Sequence, residues 1–211
     1  MHDMPHTPTP RFAERSPEAG SDEDHLRADL HDLLAALLAR PPGGALLTSI
    51  AGLSGDDTAL GAAIGALAKL AAVTTPDAAE REHHALFIGM TRGELVPYAS
   101  YYLTGFLHEK PLAALRTDMA RLSIGRAPEV HEPEDNIASL CEMMAGLIRG
   151  RFGAPADLAT QKTFFSAHLD PWAGAFFTDL EEARHSVFYA PVGAVGRLFM
   201  EIEREAFDLA A

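Results

Sequence analysis

Apolar positions recur along most of the chain at a spacing near 3.6 residues, which gathers them on one stripe of a helix. Leu26, Leu30, Leu33, Leu34, Leu37 and Leu38 define the first stripe. It stops at Pro41-Pro42-Gly43-Gly44, a run that no helix interior tolerates. Ser21, with Asp24 three positions on, resembles a capping box at its start. A short helix is expected over Ala45 to Leu53, and the next shows Leu60, Ile64, Leu67 and Ala71 on one face before Thr75-Pro76. Pro76 suits the first turn of a following helix, which carries Leu86 and Phe87 and ends near Gly89.

Between Gly89 and Pro97 the period is lost, and Gly89, Gly93 and Pro97 mark a loop. Tyr98 to Phe106 is short and aromatic. Pro111 then opens a helix with Leu112, Leu115, Met119 and Leu122 in register up to Gly125. A second loop holds Pro128 and Pro133, after which Ile137, Leu140, Cys141, Met144, Leu147 and Ile148 line a helix that stops around Gly150. Three more helices are expected near Pro155 to His168, Pro171 to His185 and Phe188 to Leu209. Sustained alternation with a period of two is absent, so the pattern predicts an all-α, single-domain helical bundle over 21–211. Residues 1–20 contain Pro5, Pro8, Pro10 and Pro17 and few large apolar side chains. Such a segment cannot offset its own ordering entropy and is expected to be a disordered, Pro-rich tail.

Composition narrows the picture. A chain of 211 residues buries a full core without metals or disulfides. Its single cysteine, Cys141, has no partner for an internal disulfide, which suits a reducing compartment. No apolar run approaches the roughly 18 residues needed to cross a bilayer, and the first residues lack the order of a secretion signal. The expected location is therefore the cytoplasm. Thirty acidic against 17 basic residues, a formal charge of −13, weigh against nucleic acid and admit a cationic partner. The same balance would also serve solubility alone.

Ten histidines invite a metal reading, but the spacings do not support it. Metal-binding helices place ligands three or four positions apart, whereas His83 and His84 are adjacent and point about 100° apart. His-Glu-x-x-His, Cys-x-x-Cys, Gly-x-Ser-x-Gly and the phosphate-cradling glycine loops are all absent. Cys141 falls in the apolar register of its helix, where core packing explains it better than nucleophilic catalysis. No catalytic residue, metal or cofactor is expected.

One set of residues is more unusual than a bundle requires. It comprises Leu86-Phe87-Ile88-Gly89, Pro97-Tyr98-Ala99-Ser100-Tyr101-Tyr102, Glu132-Pro133-Glu134-Asp135-Asn136 and His168-Leu169-Asp170-Pro171-Trp172, with Phe176 four positions later. Taken in order, these resemble the motifs of the TorD/DmsD/NarJ family of molybdoenzyme maturation chaperones, and of its TorD/DmsD branch in particular. Asn136 departs from the pattern, since many relatives carry histidine there; asparagine keeps a hydrogen-bonding side chain but cannot become cationic.

The resemblance implies a cytoplasmic chaperone that does no chemistry itself. It would hold the twin-arginine signal peptide and apo-form of a molybdenum-cofactor oxidoreductase, such as a formate dehydrogenase or a DMSO/TMAO reductase, until the cofactor is inserted. Such a leader offers two guanidinium groups beside an apolar, helix-prone segment, so its receptor needs carboxylates beside an apolar groove. Carried over, Pro97, Tyr98 and Tyr102 would form the groove, and Glu132, Pro133, Asp135 and Asn136 its polar end. Ser100 would orient the loop or the peptide backbone, and Leu86, Phe87, His168 and Trp172 are further candidates for the cleft. The family also implies a monomer able to form a swapped dimer. Simpler readings stand beside these: the tyrosines as half-buried helix residues, the acidic run as a helix start with Asp135 as cap, and Pro171-Trp172 as the opening of a helix. Two other functions stay open on sequence, an all-α metal-dependent enzyme with ligands from distant helices and an adaptor for a folded partner.

Overall fold

The structure is a computed structural model that describes residues 22–89, 92–126 and 132–210. In chain order the helices are α1 (Asp22–Ala39), α2 (Gly44–Ala51), α3 (Ala59–Ala71), α4 (Pro76–His83), α5 (Ala99–Thr104), α6 (Lys110–Arg121), α7 (Ile137–Arg149), α8 (Leu158–His168), α9 (Ala173–Glu182) and α10 (Tyr189–Leu209). A π turn over His84–Ile88 continues α4. Each helix that the apolar spacing predicts is present, and no strand occurs among the described residues. The proposed capping box at Ser21 and the Pro-rich tail lie outside the described residues.

Several helix starts follow from local chemistry. The side chains of Thr58, Thr75, Asn136 and Asp157 accept backbone N–H groups at the first turns of α3, α4, α7 and α8, satisfying donors that the helix itself cannot. Pro171 does not open α9 as expected; it sits in the preceding turn, and the helix begins at Ala173 after Trp172.

The central element is α7, whose residues from Ile137 to Ile148 are buried on nearly every side except at Ser139 and Glu142. It packs against α1, while α10 packs against α9 and α3. Contact between α9 and α10 is close because α10 presents glycines there. A Cβ on Gly196 would lie 2.2 Å from the Phe177 ring, and one on Gly193 would lie 2.8 Å from the Phe177 carbonyl. Phe176, Phe177, Phe188, Phe199, Trp172 and Tyr189 fill the core around this contact, each aromatic contributing a large apolar area. The buried Tyr189 hydroxyl donates to the Leu37 carbonyl at 2.9 Å, so its burial leaves that donor satisfied. Cys141 is fully buried, and desolvation raises its thiol pKa.

One charged cluster lies inside the bundle. Arg27 of α1 donates to both carboxylate oxygens of Glu203 on α10, at 2.6 and 2.9 Å, and to Gln161 of α8 at 3.1 Å. His31 lies 3.4 Å from the same carboxylate, and Phe207 lies beneath the guanidinium. Burial alone would raise the Glu203 pKa, but the hydrogen bonds and charges of Arg27 and His31 bring it down to about 2. Three helices distant in sequence are thereby fixed to one another. No single described helix is long and apolar enough to cross a membrane.

Candidate functional site

The loop after α4 is anchored on carbonyls of the π turn. The π turn closes with Gly89 donating to His84 O at 2.7 Å, and Gly89 itself adopts φ +62°. The chain then returns along this turn, with Glu94 N–H bonded to Ala85 O and Leu95 N–H to Leu86 O. Gly93 makes the return passage feasible, since a Cβ there would lie 2.5 Å from the Leu86 carbonyl. The loop therefore delivers Pro97 and Tyr98 to a defined place at the start of α5.

There the chain meets the residues that precede α7. Ala99 N–H donates to Asp135 O and Ile137 N–H donates to Pro97 O, both at 2.9 Å. Tyr98 and Asn136 form an isolated antiparallel bridge between these bonds. Ser100 N–H donates to Asp135 Oδ2 at 2.8 Å. Two loops that the sequence marked separately are thus joined backbone to backbone.

This geometry corrects the expected cap. Asn136, not Asp135, caps α7, with its Oδ1 accepting Ala138 N–H at 2.9 Å. Asp135 caps α5 across the bridge. It is also only 1% exposed, and its second oxygen, Oδ1, is buried without a hydrogen-bond partner. A buried carboxylate with an unused acceptor is costly unless something completes it.

The rest of the acidic run divides by environment. Glu134 accepts two hydrogen bonds from Arg116, at 3.0 and 2.8 Å, and Arg126 approaches its other oxygen at 3.4 Å. Burial opposes ionisation of Glu134, but the Arg116 bonds and charge hold its pKa below the usual value. Glu132 is exposed, and the Tyr98 hydroxyl reaches it at 3.5 Å. Burial and the Glu132 charge raise the Tyr98 pKa, with a smaller contribution from Asp135. Pro133 is half-buried between them.

Beside this polar end lies an open groove of ≈ 460 Å³, with Phe87, Ile88, Pro97, Tyr98, Tyr101 and Phe106 among its walls. Phe106 is 70% exposed and Ile88 53% exposed, an uncommon grouping of large apolar side chains at a surface. Arg92 borders the groove, donating to the Tyr101 hydroxyl at 2.8 Å with its guanidinium 5.1 Å from that ring.

The remaining named residues have other surroundings. Ser100 is fully buried, and its hydroxyl accepts Glu109 N–H at 3.3 Å, fixing the loop that follows α5. Tyr102 faces α9, where its hydroxyl donates to Asp179 at 2.8 Å and its ring meets Trp172 and Phe176. Leu86 is fully buried. Trp172 donates from Nε1 to His168 O, while His168 Nε2 lies 2.8 Å from Asp118 of α6. Among the described residues, no group of three or more His, Cys, Asp or Glu side chains is placed to hold a metal ion. Sequence reasoning did not single out Arg92, Arg116, Asp179 or the Phe106-Leu107 pair. The one available signal was Phe106-Leu107 itself, two large apolar residues directly after Gly105 where a helix should end.

Comparison with known proteins adds independent information. Residues 54–178 match the sequence profile of a family described as nitrate reductase delta subunit. That span includes α3 to α8, both joined loops and part of α9. A solved structure from Archaeoglobus fulgidus, assigned to redox enzyme maturation, superposes with a TM-score of 0.54. It shares 20% identity over 90% of this chain and 99% of that one, a likeness of fold. No curated protein matches this sequence.

Proposed function

The chain belongs to the nitrate reductase delta subunit family, and from that premise we propose that it is a cytoplasmic chaperone for a molybdenum-cofactor oxidoreductase. In this reading it binds the client's twin-arginine signal peptide and apo-form before export and carries out no chemistry itself. The client is an enzyme of the formate dehydrogenase or DMSO/TMAO reductase kind.

The observation that carries the proposal is the bridge between Tyr98 and Asn136. It brings the exposed Glu132, 3.5 Å from the Tyr98 hydroxyl, to the edge of an apolar groove that Tyr98 lines, with Asp135 buried behind the same bridge. A leader with paired guanidinium groups next to an apolar stretch presents the complementary surface. Arginine suits such a place better than lysine because its planar fork can serve two acceptors.

Calorimetric titration with a synthetic twin-arginine leader tests the reading. Saturable binding that weakens when both arginines are replaced by lysine is expected. A leader that fails to bind, while the folded client is still captured, would instead make the chain an adaptor for folded partners.

A further inference from the structure

The groove has unlike ends, and this fixes more than what binds there. Helix α5 acts as a ruler along it. Tyr98 stands at the N-terminal end of α5, Tyr101 lies one turn further, and Phe106 and Leu107 follow the helix C-terminus. Glu132 meets the Tyr98 hydroxyl at 3.5 Å, and Asp135 is held at the same end by its bond to Ser100 N–H. Arg92 meets Tyr101, and no carboxylate among the described residues pairs with it. Arg126 reaches the Glu132 carbonyl at 3.4 Å but is matched there by Glu134; moving along α5, the order is therefore net carboxylate, tyrosine, tyrosine with a cation, then exposed apolar surface.

Resting on the function proposed above, we infer that the leader lies in this groove in one direction only. Its arginine pair sits at the Glu132–Asp135 end, and its apolar segment runs parallel to α5 past Tyr101 to Ile88 and Phe106. Arg92 acts as the direction-setting residue: a leader laid the other way would bring its own arginines toward the Arg92 guanidinium and leave the exposed Glu132 facing apolar side chains. Like charges set opposite one another suppress the wrong arrangement more strongly than matched charges favour the right one.

Two leaders of equal composition test the inference on the full-length protein. One keeps the arginine pair N-terminal to the apolar segment, and the other carries it C-terminal. The native order should bind the unsubstituted protein about three- to tenfold more tightly, the scale of one or two partly exposed charge contacts. Arg92→Glu should shrink or invert that ratio, a change that a general loss of folding would not produce.

A benzophenone placed beside the arginines of the native-order leader should cross-link near Glu132 and Pro133, and one at the far end of its apolar segment near Phe106 and Leu107. Equal affinities for the two leaders, or cross-links at the opposite ends, overturn the direction. Binding with cross-links only on other faces of the molecule overturns both the direction and the site. Failure of both leaders to bind overturns the proposed function on which the inference rests.

Discussion

Two buried carboxylates in this molecule are held in opposite ways. Glu203, inside the bundle, has both oxygens engaged by Arg27 and lies close to His31. Asp135, beneath the joined loops, has one oxygen on Ser100 N–H and the other without a partner. Both are about 1% exposed. Burial therefore does not distinguish them; completeness of pairing does. A fully paired charge specifies how helices meet, whereas a partly paired one leaves an acceptor unused, and the proposed function would give it a partner.

The largest effect should come from breaking the complete cluster. Glu203→Gln removes the buried counter-charge of Arg27 and leaves it the more exposed Asp24, at 3.0 Å, and denaturant unfolding should show a loss of about 3 kcal/mol. Leader affinity of the remaining folded protein should be unchanged. The unsubstituted protein carries the same signature in its pH dependence. The folded Glu203 pKa of about 2 lies below the ordinary value of 4.5. Its contribution is therefore complete above about pH 4.5 and is lost as pH falls toward 2. Acid unfolding monitored by circular dichroism should begin at higher pH in a variant that weakens the cluster without removing it, such as Arg27→Lys.

Next in size is Asp135, where charge and capping can be separated. Asp135→Asn keeps an acceptor for Ser100 N–H, so melting temperature should change little, while leader affinity falls by about 1.5–3 kcal/mol, the range for a hydrogen bond to a charged group. Asp135→Ala should lose the same affinity and also about 1–3 kcal/mol of stability, because a buried N–H is left unpaired. A lower melting temperature in the alanine variant with affinity intact in both would reduce Asp135 to a cap and erase the contrast with Glu203.

A smaller change is expected at the groove wall. Tyr98→Ala removes apolar contact area worth about 1–2 kcal/mol of leader affinity. Titration at two salt concentrations should show the salt sensitivity retained, since the carboxylates remain. The smallest effect belongs to Arg116→Ala. Its side chain is 52% exposed, and pairs of that kind contribute about 0–1 kcal/mol. Leader affinity should move no more than stability does, because Arg126, 3.4 Å from the other oxygen of Glu134, remains and Glu134 does not line the groove.

The apolar spacing made the helices legible because each helix repeats its own register and needs only local information. Leu30, Leu34, Leu37 and Leu38 show where α1 turns its face, and the structure adds only what that face meets. The site was legible as residue types and not as an arrangement. Nothing in Glu132-Pro133-Glu134-Asp135-Asn136 reveals that Asn136 caps its own helix while Asp135 caps another, since that depends on where Tyr98 lands. Likewise Tyr98, Tyr101 and Tyr102 read as one aromatic cluster. Helical geometry sends Tyr98 and Tyr101 to the groove and Tyr102 to Asp179 and Trp172. Arg92 gave no signal because a lone arginine in a glycine-rich loop acquires meaning only from the ring it covers.

The bridge at Tyr98 and Asn136 also governs when the joined loops can form during synthesis. Ser100 and Asp135 are 35 residues apart in sequence, and closing a loop of that length costs about 3 kcal/mol of chain entropy before any contact offsets it. The N-terminal helices can begin to form from local spacing as they leave the ribosome, but α5 has no cap until Asp135 emerges, and the groove has no acidic end until Glu132 does. A nascent chain truncated before α7 should therefore be helical and unable to hold a leader. On the proposed function, competence would arrive late, with the same segment that supplies the central helix, and a half-made chain would not engage a client.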